Sequence, residues 1–296
     1  MGATVSPSVR RLAMNKGIDI DALAARLGRE TITRDDVLGG ASVLPAGASV
    51  SNVNWDVDHS LYGPVSHRPL NRMAQVASKN LTAAQQLIPA VTHHDSADVT
   101  RIEVTRAQLR EDGIRITALA FHVIVLARCL KEYENFNASL TADGQNLTLK
   151  SYVNIGIAVD TPQGLIVPVI RNADQKCIQE ISNEISDLAL RARARRIRAT
   201  EMGGASMSIS SLGGIGGEAF SPIVNPPEVA ILGITRTEIR PVWDGQDFVP
   251  RRMVPLDLSY DHRVINGADA AHFLGRYRYL ISNADDLIAG IAGNSE

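Results

Sequence analysis

The sequence predicts an α/β fold, in which helices cover a mixed β-sheet, with a small helical domain in front of it. Helical and strand-like apolar patterns are mixed along most of the chain without strict alternation, as expected of a mixed sheet. A segment at 39–64 that is rich in Gly, Ala, Ser and Asn, with no sustained period, predicts a flexible linker. A chain of 296 residues therefore has room for a domain of ordinary enzyme size at 65–296 and a mini-domain at 1–38.

The composition argues against several classes of function. With 30 basic and 32 acidic residues and a net charge of -2, the chain has no overall field that would attract nucleic acid or an anionic membrane. Cys129 and Cys177 lie far apart without metal-ligand spacing, which predicts neither a disulfide framework nor a metal site and fits a cytoplasmic protein. The longest apolar run, 116–127, is interrupted by His122 and is too short to cross a bilayer.

The mini-domain begins with a capped helix. Ser6 followed by Pro7 is typical of a helix start, and Gly17 is expected to end this helix. A second helical turn follows from residue 19, and 31–37 indicates an extended piece that leads into a Thr-capped turn. The first helix carries a basic face that would suit an acidic partner: Arg10, Arg11 and Lys16.

Four helices of the large domain are predicted from apolar residues at helical spacing. They lie at 71–88, 99–110, 116–133 and 178–198. Pro89 ends the first of them, because proline cannot continue a helix. The third is the most buried, and we interpret its His122 as a structural histidine on the helix surface. A run of arginines near the end of the fourth suits the helix dipole.

The predicted strands fall between these helices. Residues 90–98 indicate one strand, and 153–170 indicate a hairpin whose turn, at 161–164, carries Pro at its second position. A strand, a Gly-rich loop at 213–217 and another strand follow through residue 234. After a polar loop around Trp243, an alternating apolar run at 253–258 forms the last strand.

A polar cluster at 259–267 follows that last strand and precedes a helix-like run at 268–280. It places His262 at a strand end, and imidazole is the side chain that is largely neutral and basic near pH 7. Asn266 can form hydrogen bonds but cannot ionise, and Gly267 allows a sharp turn into the helix. A lone histidine at a strand end is ordinarily structural, so the cluster alone leaves both interpretations open.

The Gly-rich loop matches none of the common ligand-binding or nucleophile motifs. It lacks the G-x-G-x-x-G helix start of dinucleotide sites, and no Gly-Lys-Ser/Thr of a phosphate loop is present. Ser210, just before the loop, is not in the G-x-S-x-G frame of a hydrolase nucleophile.

The segment from His262 to Gly267 resembles the His-x-x-x-Asp-Gly signature of dihydrolipoyl acyltransferases, the core subunits of 2-oxoacid dehydrogenase complexes, with Asn266 in the Asp position. Residues 207–217 and 220–233 are similar to the same family, and the resemblance runs from about Arg68 to Ala289. It implies a chloramphenicol-acetyltransferase-like catalytic domain at 65–296. The mini-domain resembles a peripheral subunit-binding domain through 6–13 and 32–37, although 27–30 departs from that pattern.

The resemblance implies acyl transfer between two thiols, from S-acetyl-dihydrolipoyl to coenzyme A. Thiols and imidazoles ordinarily have pKa values of about 8.5 and 6.5, so complete proton transfer would cost roughly 2.7 kcal/mol. General-base catalysis by His262 therefore suffices. The hydroxyl of Ser210, which matches the family position, or else that of Ser211, would stabilise the tetrahedral oxyanion. Asn266 would keep a hydrogen-bonding group near the base, while Asp160 and Arg106 match positions near the coenzyme A site.

The resemblance also implies partners. Family members form homotrimers with the site between subunits, and assembly of trimers into a larger core stays open because a polar tail follows Leu287, Ile288 and Ile291. Residues 6–37 would bind pyruvate dehydrogenase, dihydrolipoyl dehydrogenase or both. The lipoyl group would come from a lipoyl domain that this sequence does not contain.

Three alternatives to the acetyltransferase stay open. A succinyl- or branched-chain acyltransferase differs only in the acyl group, although 152–160 and 241–245 look closest to pyruvate-complex members. A scaffold that binds dehydrogenases without catalysis is a second alternative, against which the presence of both His262 and Ser210 speaks. An enzyme that acetylates a small alcohol, as chloramphenicol acetyltransferase does, is the third.

Overall fold

The computed structural model describes residues 5–27, 31–38, 57–285 and 287–288. The chain divides into two units, Met1–Arg68 and Pro69–Glu296. Most of the predicted linker lies outside the described residues, as do 28–30 and Ile291, so the predicted boundaries at 38 and 64 stay predictions.

The first unit contains three short helices around a small apolar core. They are α1 (Pro7–Asn15), α2 (Ile20–Leu27) and α3 (Arg34–Leu38). The Ser6 side chain accepts a hydrogen bond from the Val9 backbone at 3.4 Å, so the predicted cap is present. Gly17 ends α1 with a φ of +66°, which glycine adopts without strain. The core consists of Val9, Ala13, Leu23, Ile32 and Val37.

The second unit is built on a seven-stranded mixed sheet, as the sequence predicts. The strands of this unit are β1 (Ala90–Asp98), β2 (Ala138–Leu140), β3 (Leu147–Leu149), β4 (Ile155–Ile157), β5 (Val159–Thr161), β6 (Gly164–Ile166), β7 (Val169–Ile170), β8 (Met207–Ser211), β9 (Ala230–Ile234), β10 (Glu238–Trp243) and β11 (Phe248–Asp261).

The strands of the large sheet run in the order β1-β11-β9-β8-β4-β7, and β10 pairs with β11 outside this path. The β4–β8 and β8–β9 pairs are parallel and the others are antiparallel. Two separate hairpins are formed by β2 with β3 and by β5 with β6.

In the described part of this unit, five helices with defined bounds accompany the sheet. They are α4 (Arg72–Leu87), α5 (Thr100–Glu111), α6 (Ala118–Glu132), α7 (Ile178–Arg193) and α8 (Gly267–Ser282). The predicted helix at 178–198 was too long, since α7 ends at Arg193. Arg195 has a φ of 59°, and the Arg196 backbone donates to the Arg191 carbonyl, which closes the helix before the last arginines.

The two faces of the sheet differ in chemistry. On one face, Met207, Ile209, Leu232 and Leu258 belong to the main apolar core together with α6, α7 and α8. The opposite face is more polar, and residues 218–224 run over part of it. Because that face is also covered, all residues from 254 to 261 are buried, although the alternating apolar pattern at 253–258 shows only one of the two faces as apolar.

The β10–β11 hairpin ends in an exposed aromatic pair. The rings of Trp243 and Phe248 meet edge to face with centroids 5.2 Å apart, and both side chains are largely exposed. From this tip, β11 continues for 14 residues as a single strand that pairs with β10, β1 and β9. Among the described residues, no helix is both long and apolar enough to cross a membrane.

Candidate active site

His262 is the first residue after β11 and is exposed. Its backbone N–H donates to the Pro89 carbonyl at 3.2 Å, and its ring lies 5.8 Å from the ring of Tyr260, centroid to centroid. The loop is held at one end to β1 and at the other to α8, while the imidazole itself faces solvent. Such a ring can meet a substrate or a second protein chain.

Asp261 fixes the turn that carries His262. This buried carboxylate accepts hydrogen bonds from the Arg263 backbone at 3.0 Å and from its guanidinium at 2.6 Å. The backbone N–H groups of Val264 and Ile265 both donate to the Asp261 carbonyl. The hydrogen bond to Asp261 raises the pKa of Arg263. Through these contacts Asp261 and Arg263 hold the shape of the turn.

Asn266 is the N-cap of α8. Its Oδ1 accepts a hydrogen bond from the Asp269 backbone at 2.9 Å, which satisfies one of the free N–H groups of the first turn. The side chain is exposed, so its amide nitrogen is accessible from outside the chain. The structure thus shows a helix-capping contact for Asn266, which sequence analysis did not predict, and places it in the same loop as His262.

Ser210 lies on β8, on the polar face of the sheet, and is half-buried. It pairs with Gly233 of β9, which pairs in turn with Asp257 of β11. His262 is five positions beyond Asp257 along β11. With strand spacings of about 4.8 Å and a rise of about 3.3 Å per residue, Ser210 and His262 are about 19 Å apart. One chain therefore does not bring these two residues together.

The two residues predicted near coenzyme A lie on different elements. Asp160 is exposed on β5, opposite Leu165, one position before the turn at which it was predicted. Arg106, on α5, donates to the Ile116 carbonyl at 3.0 Å and to both carboxylate oxygens of Glu103 at 2.7 and 2.8 Å. Its guanidinium thus joins α5 to the segment before α6, and a role in binding coenzyme A stays a prediction.

His122 was predicted to lie on the helix surface, but it is buried. Its Nδ1 lies 2.7 Å from the Tyr277 hydroxyl, which joins α6 to α8. Burial, and to a smaller extent the nearby Arg106 charge, lower the pKa of His122 to about 4. The interpretation as a structural histidine agrees with these contacts. Burial likewise raises the pKa of the Cys129 thiol to about 12, which suits a core residue.

Sequence analysis missed a second polar group on the same sheet face as Ser210. Asp257 is only 1% exposed, and its Oδ1 lies 2.6 Å from Nδ1 of His94 on the neighbouring strand. In the next row, the hydroxyls of Thr92 and Ser259 are 2.8 Å apart. His94, Thr92, Ser259 and the segment 221–224 line a cleft of about 400 Å³. The one available signal was a charged residue, Asp257, within an otherwise apolar strand.

The model of the 2-oxoacid dehydrogenases acyltransferase (catalytic domain) family matches residues 63–289 of the chain. Curated relatives include the dihydrolipoyllysine-residue acetyltransferase components of pyruvate dehydrogenase complexes from Cupriavidus necator and Azotobacter vinelandii, each 43% identical. These alignments cover 95% and 94% of this chain but 54% and 46% of the relatives. The chain thus spans about half the length of the curated relatives it matches.

Two solved structures are similar to most of the chain. One comes from a crystallographic and enzymatic investigation of a serine, a histidine and an asparagine in the catalytic mechanism of Azotobacter vinelandii dihydrolipoamide acetyltransferase, with 46% identity and a TM-score of 0.76. The other is the cubic core of a pyruvate dehydrogenase multienzyme complex, with 47% identity and a TM-score of 0.76. Each covers 78% of this chain and 97% of the solved chain. The chain therefore belongs to the family of 2-oxoacid dehydrogenase acyltransferases.

Proposed function

We propose that the chain transfers an acetyl group from S-acetyl-dihydrolipoyl to coenzyme A in the core of a pyruvate dehydrogenase-type complex. The observation that carries this proposal is the spacing of three residues. In the Azotobacter vinelandii enzyme, the serine, histidine and asparagine studied for their catalytic roles are separated by 52 and 4 positions, as Ser210, His262 and Asn266 are here. Both curated relatives named above are acetyltransferases of pyruvate dehydrogenase complexes, which favours acetyl over other acyl groups.

The proposed reaction needs one base and one hydrogen-bond donor. His262 accepts the proton of the coenzyme A thiol while the coenzyme A sulfur attacks the thioester carbonyl. A new carbon–sulfur bond forms, and the carbonyl oxygen becomes an oxyanion, to which the Ser210 hydroxyl donates a hydrogen bond. When the intermediate collapses, the bond to the dihydrolipoyl sulfur breaks, and His262 returns the proton to that leaving sulfur.

A second copy of the chain would complete this site, because Ser210 and His262 are about 19 Å apart within one chain. The apolar residues of α4 support such an interface. This helix forms as predicted, but Met73, Val76, Leu81 and Leu87 are 39%, 49%, 46% and 64% exposed. A row of apolar side chains that are this far exposed is typical of an interaction surface. We assign a homotrimer, with His262 of one subunit facing Ser210 of the next.

The substrates would be coenzyme A and a lipoyl group carried by a separate lipoyl domain. Asp160 is free at the surface to meet coenzyme A, while Arg106 would have to act from within its pairing with Glu103. In the first unit, Arg10 and Arg11 are exposed on α1, next to the buried Val9 and Ala13. Residues 6–37 would use this basic face to bind pyruvate dehydrogenase, dihydrolipoyl dehydrogenase or both.

The experiment is a thioester transfer assay with free dihydrolipoamide and acetyl-, succinyl- and branched-chain acyl-CoA. Acetyl-CoA should give the highest kcat/KM, and a preference for succinyl-CoA would contradict the acetyl assignment. His262→Ala should lower kcat at least about a hundredfold, which is the usual contribution of a general base. The matched control is His272→Ala, since His272 is also exposed but lies on α8. A wild-type protein that uses none of these donors would be a scaffold.

A further inference from the structure

The buried carboxylate of Asp257 lies in the same sheet row as Ser210. Its Oδ1 is paired with His94 Nδ1 at 2.6 Å, and its Oδ2 accepts a hydrogen bond from the Phe220 backbone at 3.3 Å. A carboxylate that is 1% exposed is costly unless its oxygens keep such partners. The three groups therefore hold one another in place. His94 provides a hydrogen-bond partner for the Asp257 carboxylate, and Asp257 links the segment after the Gly-rich loop to the sheet.

The Phe220 ring lies where a side chain at position 233 would otherwise stand. A Cβ added to Gly233 would be 2.7 Å from Cε1 and 2.9 Å from Cζ of Phe220. Gly233 pairs directly with Ser210, and the side chains of paired residues point to the same face of a sheet. The Phe220 ring is thus packed directly beside Ser210, and its backbone is anchored to Asp257.

We propose that Asp257, held by His94, is a positioning residue for the reaction: by anchoring the Phe220 backbone, it keeps the Phe220 ring against Ser210 and fixes the direction of the Ser210 hydroxyl. The inference rests on the proposed function, in which Ser210 donates to the oxyanion. A donor of this kind is effective only when its neighbours hold it in place before the reaction. Asp257 touches no reacting atom and acts through Phe220.

A simpler role would be to tie β1 to β11, and the structure provides a control for it. The hydroxyls of Thr92 and Ser259 join the same two strands one row away, and Ser259 is also 1% exposed. Its hydroxyl is bonded to Thr92 and not to the segment 218–224. Ser259→Ala therefore removes a buried link between these strands while leaving Phe220 anchored.

The kinetic test compares Asp257→Leu, Asp257→Asn and Ser259→Ala in the transfer assay. Asp257→Leu should lower kcat at least about tenfold, while Asp257→Asn should recover most of it because the amide oxygen still accepts from Phe220. Ser259→Ala should keep kcat within about twofold of the wild type, since it leaves the hydrogen bond between Asp257 and Phe220 intact. In a Ser210→Ala background, Asp257→Leu should cause no further loss of kcat. A full additional loss there would overturn the proposal.

A second measurement does not depend on catalysis. Hydrogen exchange of the Phe220 amide should be faster in Asp257→Leu and unchanged in Ser259→Ala, because the first variant alone removes the acceptor. If Asp257→Leu does not fold, His94→Leu at a half-exposed position removes the partner that holds Asp257 and should also speed exchange at Phe220, although the acceptor itself is kept. Unchanged exchange at Phe220 would overturn the anchoring itself. If the wild type is inactive in the transfer assay but the Phe220 amide still exchanges faster in Asp257→Leu, the transferase proposal is refuted and the anchoring of Phe220 stands.

Discussion

Two histidines of the same domain have opposite environments. His262 is exposed at the end of β11, whereas His122 is buried and bonded to Tyr277. Burial disfavours the charged form of His122 and holds its pKa at about 4. The buried ring is therefore neutral near pH 7 and serves as a hydrogen-bonding spacer between α6 and α8.

The pKa of His122 predicts how stability depends on pH. In the unfolded chain this histidine titrates near 6.5, so unfolding takes up a proton between about pH 6.5 and pH 4. Its contribution to the free energy of unfolding is complete above pH 6.5 and decreases as the pH falls toward 4, by on the order of 3 kcal/mol. Urea unfolding at pH 7 and pH 5 should show about 2 kcal/mol of this loss, because pH 5 is still above the folded pKa.

In His122→Asn, whose amide can take the place of Nδ1, the fall in stability between pH 7 and pH 5 should be smaller. The matched control is His272→Asn, which replaces an exposed histidine of α8 and should keep the wild-type dependence. An equal fall in all three proteins would show that His122 is not the group that titrates.

Only some site residues could be predicted from local sequence. His262, Asn266 and Gly267 lie within six positions, and a polar cluster between a strand and a helix reveals them. Asp257 and His94 are 163 positions apart, so their pairing depends on the register of β1 against β11. No local period encodes that register, and the pair is visible only in the folded chain.

At the level of elements, apolar periodicity predicted the helices well and their surroundings less well. The predicted ranges for α4, α5, α6 and α8 agree with the structure to within about two residues. The helical spacing did not reveal that apolar side chains of α4 are exposed, because a period shows which face is apolar but not what covers it. The end of α7 was missed because its arginines favour helix, while Arg195 adopts the left-handed conformation that closes it.

The close packing of β9 against residues 218–224 gives a prediction for two glycines. A Cβ at Gly233 would lie 2.7 Å from the Phe220 ring and 3.1 Å from the Asp257 Cβ, so Gly233→Ala forces one of them to move. Overpacking of this kind typically costs about 1–3 kcal/mol. Gly214→Ala is the control, since nothing lies within 4 Å of its Cβ position. Thermal unfolding should separate the two variants, and equal stability would contradict the packing described for Phe220.

For the whole molecule, the candidate catalytic groups lie in separate regions of one sheet. A chain can use both only if a second chain approaches, as in a ring of identical subunits in which each interface joins two different surfaces. The exposed apolar row of α4 shows that the isolated chain leaves apolar area uncovered. Activity is therefore expected to be a property of the oligomer.

Subunit mixing tests this expectation. Ser210→Ala and His262→Ala should each have very low activity, yet co-expression of the two should restore about a quarter of the wild-type sites, since a random interface then contains one intact serine and one intact histidine. The control is a mixture of the two separately purified variants, prepared without any dissociating agent so that subunits do not exchange. Mixed oligomers as inactive as either variant would place both residues in the same chain's site, contrary to the sheet register.

The length of β11 has a mechanical consequence. Its 14 residues, at about 3.4 Å each, form a rod roughly 45 Å long that begins at the aromatic tip and ends at the residue before His262. Hydrogen bonds to three other strands stiffen β11. A force applied to the aromatic pair of Trp243 and Phe248 would therefore be transmitted along the strand without passing through a hinge. The hairpin tip and the loop that carries His262 are thus the two ends of one continuous strand.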